Sequence, residues 1–424
     1  MRSHHKVTED VAVVADDLTG AADTAIHFIP ETGNFLMLDM TNELLPPVLS
    51  GAQGLALTTE SRNLKPQEAA CRVRLAANVL STRSYGLIYK KMDSQLRGLP
   101  GFEVEILRRS LGFSCSFIAP AYPEQGRITQ DAIHLVNGIA VAEREPGRDM
   151  VTWEGEASLP ELIAAQTGVK ISHIYQKEFD RGMDALCSRI ERFMADGVRA
   201  ITFDASGQSH LAMIARAGLR YFHNTLLAGS AGLALAASKE LGIGSGRALC
   251  AVPRCHSLMF ICGSATTILH RQASMLVSGV HCQEVVICSR HLTVQKCWDK
   301  LILNAVDAWL AGKDLLLRFS VEPMQVDPDT STGMLSRLAD LAKQLIEKRR
   351  PDGLFLSGGD TASAVLKKTG VKAVRLKAQA MSGMAWGHAV QGKLDSAVII
   401  TKSGAFGKEE DLIKLYGAWK KDSP

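Results

Sequence analysis

The chain has 424 residues, 46% of them hydrophobic and 22% charged, with a formal net charge of +4. This is ordinary globular composition, enough for about two or three domains. The aromatics, at 6%, are not interleaved with Lys and Arg, which argues against a nucleic-acid partner. No stretch approaches the ~20 apolar residues of a membrane helix, so no membrane partner is expected. The polar opening MRSHHKVTED lacks the apolar run of a secretory signal, and the nine scattered cysteines form no C-x-x-C pair or zinc spacing. They read as reduced thiols in a cytoplasmic protein.

Short β-branched or apolar runs alternate with longer amphipathic stretches, the pattern of a mainly parallel sheet covered by helices on both faces. The fold class is α/β. In chain order, strands are predicted at 11–15, 35–38, 54–59, 86–90, 116–121 and 200–205, with helices around 66–82, 102–111 and 180–195. Residues 224–256 read as a small-residue helical stretch followed by a Gly/Ser-rich patch and a proline, the punctuation of an inter-domain linker. The alternation restarts with strands at 258–265, 284–289, 314–320, 353–359 and 396–404. Two three-layer α/β domains follow, 1–250 and 251–424.

In open α/β sheets, ligands bind beyond the carboxyl ends of the strands. The run VAVVA ends in Asp16 and Asp17, GLALTT in Glu60, Ser61 and Arg62, and GLIYK in KMDSQLRG with Lys91, Asp93, Ser94 and Arg97. All three open on one sheet edge, a site suited to a small anion bearing hydroxyls. A helix cap accounts for one acid before a helix, and Asp17 or Thr19 could do no more than that. Two adjacent acids need a further partner, such as a substrate hydroxyl or a cation. His134 reads as a structural residue with a hydrogen-bond partner rather than a metal ligand.

The second half carries three strand-to-glycine junctions: Gly263, Ser264, Thr266 and Thr267; Gly358, Gly359, Asp360 and Thr361; and Lys402, Ser403, Gly404 and Gly407. Glycine lets backbone N–H groups approach a phosphate, and a helix N-terminus adds free donors. Neither G-x-x-x-x-G-K-[ST] nor a properly placed G-x-G-x-x-G occurs. The adjacent acids also depart from the D-x-D-x-T spacing of phosphoaspartate chemistry.

The segments ADDLTGAAD, KKMDSQLRG, PAYPEQGR with HLVNG, GSAGLA, SGGDT and TKSGAFG, in that order, resemble the four-carbon acid sugar kinase family over residues 11 to 412. The resemblance implies two α/β domains with a cleft between them, the first for the sugar acid and the second for ATP. It implies phosphorylation of the terminal 4-hydroxyl of D-threonate, with D-erythronate or 3-oxo-tetronate as alternatives. By motif position the acid site takes Asp17, Arg62, Lys91, Met92, Asp93 and Ser94. The ATP site takes Ser264, Gly358, Gly359, Asp360, Thr361 and Gly404. Gln95, Leu99 and Ala405 stand where the family commonly has Thr, Asn and Asn, and Asp360 where Glu is more frequent; the first two bear on the choice of acid.

On this reading Arg62 and Lys91 hold the carboxylate or neighbouring oxygens, and Asp17 orients the attacking hydroxyl and accepts its proton. Asp16 and Asp93 compete for that role. Mg²⁺ bridges the β- and γ-phosphates, so no protein residue is assigned as a metal ligand. A non-catalytic sensor of sugar acid and nucleotide is the alternative from another class. Oligomeric state stays open, although an α/β enzyme of this size is often a homodimer.

Overall fold

A computed structural model describes residues 10–29, 34–40, 51–143, 158–243, 252–320 and 328–420. They fall into two compact units, with boundaries at Thr32/Gly33, Ala52/Gln53 and Ser245/Gly246. The strands, in chain order, are β1 (Val11–Ala15), β2 (Phe35–Asp39), β3 (Gly54–Thr58), β4 (Leu87–Lys91), β5 (Cys115–Ala119), β6 (Arg127–Gln130), β7 (Ile133–Val136), β8 (Ile139–Ala140), β9 (Ile171–Ile174), β10 (Ala200–Phe203), β11 (Thr225–Gly229), β12 (Leu258–Cys262), β13 (Cys282–Ile287), β14 (Asp314–Phe319), β15 (Gly353–Ser357), β16 (Ala373–Met381), β17 (Met384–Val390) and β18 (Val398–Lys402).

The first unit holds the parallel series β3-β1-β4-β11-β5-β10-β9. Its central strands are buried on both faces, which explains their near-continuous apolar sequence. A small antiparallel sheet, β6-β7-β8, stands apart from that series. Four helices bear on the site: α1 (Leu18–Ala25), α2 (Pro66–Leu80), α3 (Pro100–Ser110) and α4 (Leu159–Thr167). The chain leaves β1 toward β3 on one side and later adds β4 on the other. β1 therefore borders the topological switch point, where ligand crevices form.

The second unit repeats the device. Its parallel core β13-β14-β12-β15-β18 has β12 flanked by β14 and β15, so the switch point falls at the end of β12. Three antiparallel strands, β17, β16 and β2, extend this sheet. Phe260, Phe355, Trp386 and Trp419 anchor its core.

The predicted strands at 11–15, 54–59, 86–90 and 116–121 and the five of the second half all correspond to observed ones. Two places differ. The run at 35–38 is a strand, but it pairs with β16 in the second unit, so the chain does not divide simply near residue 250. The stretch read as helical from 224 begins with the central strand β11, and only Ala231–Leu241 is helix. Thr225–Gly229 is too short and too small in its side chains to distinguish strand from helix by periodicity. The Gly/Ser patch that followed, residues 244–251, lies outside the described residues. No helix among the described residues is long and apolar enough to cross a membrane. The eight described cysteines are free thiols.

Candidate functional site

Strand β1 delivers Asp16 and Asp17 to the start of α1. Asp17 is the N-cap, with Oδ1 accepting from the Gly20 amide at 3.0 Å and Oδ2 from the Thr19 hydroxyl at 2.7 Å. The capping reading is therefore correct for Asp17, but it is incomplete. Arg62, just beyond β3, bridges both acids: Nε donates to Asp16 Oδ2 at 2.7 Å and Nη2 to Asp17 Oδ1 at 2.8 Å. Asp93, beyond β4, lies 3.9 Å from the same nitrogen and takes a two-pronged bond from Arg97 at 2.7 and 2.9 Å. The sheet register thus converts three loops distant in sequence into one charge cluster.

Burial alone would raise the Asp16 carboxyl, but Arg62, with Lys90 and Lys91, holds it below the ordinary carboxylate range. For Asp93 burial is likewise outweighed, by Arg97 and Arg62, and the carboxyl sits well below its usual value. Both are ionised at neutral pH. Asp16 Oδ1 is buried with no hydrogen-bond partner, and an orphaned acceptor costs ~1–3 kcal/mol until something donates to it.

Successive residues of a strand face opposite sides, and β4 ends in two lysines that use this. Lys90 Nζ lies 2.9 Å from Glu103 on α3, and that carboxylate also accepts from Ser61 at 2.7 Å. Lys91 turns toward α1, where its Nζ would stand 3.1 Å from a Cβ built on Gly20. The residue is 6% exposed, its carbonyl accepts from Lys90 Nζ at 2.9 Å, and its own ammonium has no ion-pair or hydrogen-bond partner among the described residues. Asp23, half-buried on the next turn of α1, is pushed up to about 6 by burial, with Lys91 opposing and Asp17 adding to the shift. Met92 and Ser94 are buried beside these charges. His134 holds the Ser94 loop, its Nε2 donating to the Ser94 carbonyl at 2.9 Å while Nδ1 accepts from Thr129 at 3.0 Å. Burial lowers this imidazole to about 4, so it is neutral and structural.

In the second unit three loops meet at the switch point. A Cβ on Gly263 would collide with Thr361 Oγ1, and one on Gly404 with Ser264 Oγ. Gly358, with φ of 102°, adopts a conformation that favours glycine and caps α5 (Gly359–Lys368). Thr266 donates to the Gly404 carbonyl at 2.7 Å, and the Gly358 amide to the Lys402 carbonyl at 3.0 Å. Ser264, Gly358, Gly359, Thr361 and Gly404 therefore share one locus, with Asp360 exposed on the first turn of the helix. Free amides at that helix start suit an anion.

Sequence reasoning noted Arg97 without assigning it a partner and passed over Glu103 and Asp23. Arg97 follows Asp93 by four residues. Glu103 falls on the buried stripe of α3 with Pro100, Val104 and Leu107, and an acid at such a position, three and four residues from apolar ones, was a readable sign of a buried ion pair. Nothing local distinguishes Asp23 from a solvated helical acid.

Residues 11–237 match the model of a sugar-binding N-terminal domain, and residues 259–412 that of a nucleotide-binding C-terminal domain. A D-threonate kinase of Cupriavidus necator is 31% identical, covering 96% of this chain and 97% of that one. A D-threonate kinase of Salmonella typhimurium is 27% identical over 94% of this chain and 96% of its own. A D-erythronate kinase of Heliobacterium modesticaldum is 26% identical over 95% of each. A solved Salmonella typhimurium protein shares the fold with a TM-score of 0.78 at 18% identity, covering 96% of this chain and 98% of that one. A Haemophilus influenzae protein does so with 0.71 at 18%, covering 96% and 100%.

The two matched domains define the class: a two-domain protein with a sugar-binding N-terminal domain and a nucleotide-binding C-terminal domain. The chain belongs to the four-carbon acid sugar kinase family, and it is a kinase.

Proposed function

We propose that this kinase transfers the γ-phosphoryl group of ATP to the terminal 4-hydroxyl of a four-carbon acid sugar, D-threonate first among them. The observation that carries this reading is Lys91: a lysine only 6% exposed whose ammonium makes no ion pair or hydrogen bond among the described residues, beside an Arg62 that already bridges two acids. A buried cation is costly until an anion joins it, and a substrate carboxylate supplies one. The D-threonate kinases among the relatives support the choice of acid.

Phosphoryl transfer demands positioning and charge neutralisation more than a strong base. Lys91 and Arg62 hold the substrate's carboxylate and neighbouring oxygens. Asp17 was the first candidate to receive the hydroxyl proton, but its Oδ1 already takes two donors and its Oδ2 one. Asp93 is committed to Arg97. Asp16 retains a wholly unpartnered oxygen, so we assign the hydroxyl to Asp16 and the placing of Arg62 to Asp17. In the second unit Ser264, Gly358, Gly359, Thr361 and Gly404 receive the nucleotide phosphates.

Among the described residues no cluster of three or more His, Cys, Asp or Glu is built to hold a metal; Asp360 stands on the first turn of the phosphate-loop helix, and Asp411 is taken by the Lys408 amide at 2.7 Å. That sparse donor set fits a Mg²⁺ carried by phosphates and water, with Asp360 at its margin. Bound there, Mg²⁺ would neutralise charge on the transferred group. The test is ADP release from ATP with D- and L-threonate, D- and L-erythronate and 3-oxo-tetronates. Turnover fastest with D-threonate supports the assignment; preference for another of these acids replaces the substrate, and no response to any of them overturns the reading.

A further inference from the structure

The turn after β18 is folded by donors placed beneath it. Lys402 is 1% exposed, and its ammonium donates to the Ser403 carbonyl at 2.9 Å and the Phe406 carbonyl at 2.8 Å. Thr266 takes the Gly404 carbonyl at 2.7 Å, and Gln272 Nε2 reaches the Lys408 carbonyl at 2.8 Å. Of the turn's amides, that of Phe406 closes back on the Ser403 carbonyl at 3.3 Å. Those of Gly404 and Ala405 donate to no acceptor among the described residues. Consecutive unpaired N–H groups in a turn form a concavity for anions.

We propose that Lys402 is a positioning residue that sets the 403–407 turn for nucleotide phosphate, holding its carbonyls inward and so presenting the Gly404 and Ala405 amides to the ligand. The inference rests on the nucleotide assignment made above. Lys402 has no carboxylate within ion-pair distance among the described residues; Cys262 on β12 and Asp411 at the start of α6 (Asp411–Lys420) are the titratable groups that act on it. Burial lowers its amine to about 8. A lysine kept in so unfavourable a place, with backbone carbonyls for partners, is explained by the shape it imposes and by the anion expected above it. The ammonium offers three hydrogens, and methionine, of similar length, offers none.

The experiment compares ATP, ADP and adenosine binding by calorimetry in the wild type, Lys402→Met and Thr266→Val. The second variant cuts the tie to the Gly404 carbonyl without emptying the buried site, so it reads the same turn if Lys402→Met does not fold. Each variant should weaken ATP and ADP by ~10-fold or more, because hydrogen bonds to a charged ligand are lost, while adenosine affinity stays within ~2-fold. At saturating ATP, the KM for the acid should not move. Equal weakening of all three ligands would mean general loosening and overturn the proposal, as would unchanged ATP binding in a folded variant. A wild type with no affinity for ATP would instead overturn the nucleotide assignment itself.

Discussion

Replacing Lys91 by methionine tests the acid site through a change whose two readouts separate. The substitution keeps the side chain's length and removes a buried charge that has no ion-pair partner among the described residues. Losing one charge-assisted hydrogen bond to the substrate carboxylate costs ~1.5–3 kcal/mol, or about 10- to 150-fold in binding. Stability should respond little, because the ammonium makes no ion pair or hydrogen bond among the described residues and only its longer-range attraction to Asp16, Asp23 and Asp93 is lost; Tm should stay within ~4 °C of wild type, the shift expected for ~1 kcal/mol in a domain of this size. The loss should appear in the KM for the acid, read by ADP release at saturating ATP, while the KM for ATP stays put. A KM for the acid within ~2-fold of wild type would refute the reasoning, since an ammonium contacting the substrate cannot be dispensable at that level. A parallel rise in both KM values would refute it too.

Asp16→Asn removes the acceptor assigned to the hydroxyl proton, and kcat should fall by ~10²–10⁴ with the KM for ATP unchanged; near wild-type turnover would return the role to Asp17. Glu103→Ala leaves Lys90 buried without its counter-charge and should cost ~3–5 kcal/mol in urea denaturation, whereas a loss under ~1 kcal/mol would show that Lys90 finds another partner. Asp23 has a folded-state value of about 6 against an ordinary 3.8, so its ionised form is disfavoured in the fold and a destabilising contribution accrues as pH rises from about 4 to about 6. Asp23→Asn should therefore raise Tm at neutral pH, the gain shrinking toward pH 4; a gain that does not depend on pH would contradict that origin. Asp93 has the opposite sign: its depressed carboxyl contributes stability that is complete above its ordinary value of 3.8 and is lost as pH falls below it. Asp93→Asn should flatten the acid limb of the Tm profile, and an unchanged limb would refute this.

Much of the fold was legible because parallel strands buried on both faces must be short apolar runs, and β1, β3, β4, β12, β15 and β18 are such runs. The polar residues that end them could be assigned to one edge before any register was known, since parallel strands share a direction. Asp16, Arg62 and Asp93 met for that reason. What escaped was non-local. Nothing in FLML says that β2 pairs antiparallel with β16, more than 300 residues further along the chain. The strand β11 is made of Thr, Leu, Ala and Gly, which carry no period of their own.

The site was legible in its membership more than in its wiring. That Asp17 caps α1 and also shares Arg62 with Asp16 follows from a placement that adjacent acids in a sequence cannot specify. The opposed duties of Lys90 and Lys91 follow from strand alternation and could have been read from LIYKK alone. Lys402 was visible among the loop residues, but its burial and the carbonyls it holds required coordinates.

The most direct measurement is the structure of the product itself: D-threonate and ATP incubated with the protein and Mg²⁺, then observed by proton–phosphorus correlation NMR. The account predicts a single new phosphate ester coupled to the two C4 protons, formed in step with ADP. Phosphate on C2 or C3, or ATP left unchanged beside each of the tetronic acids, would contradict it.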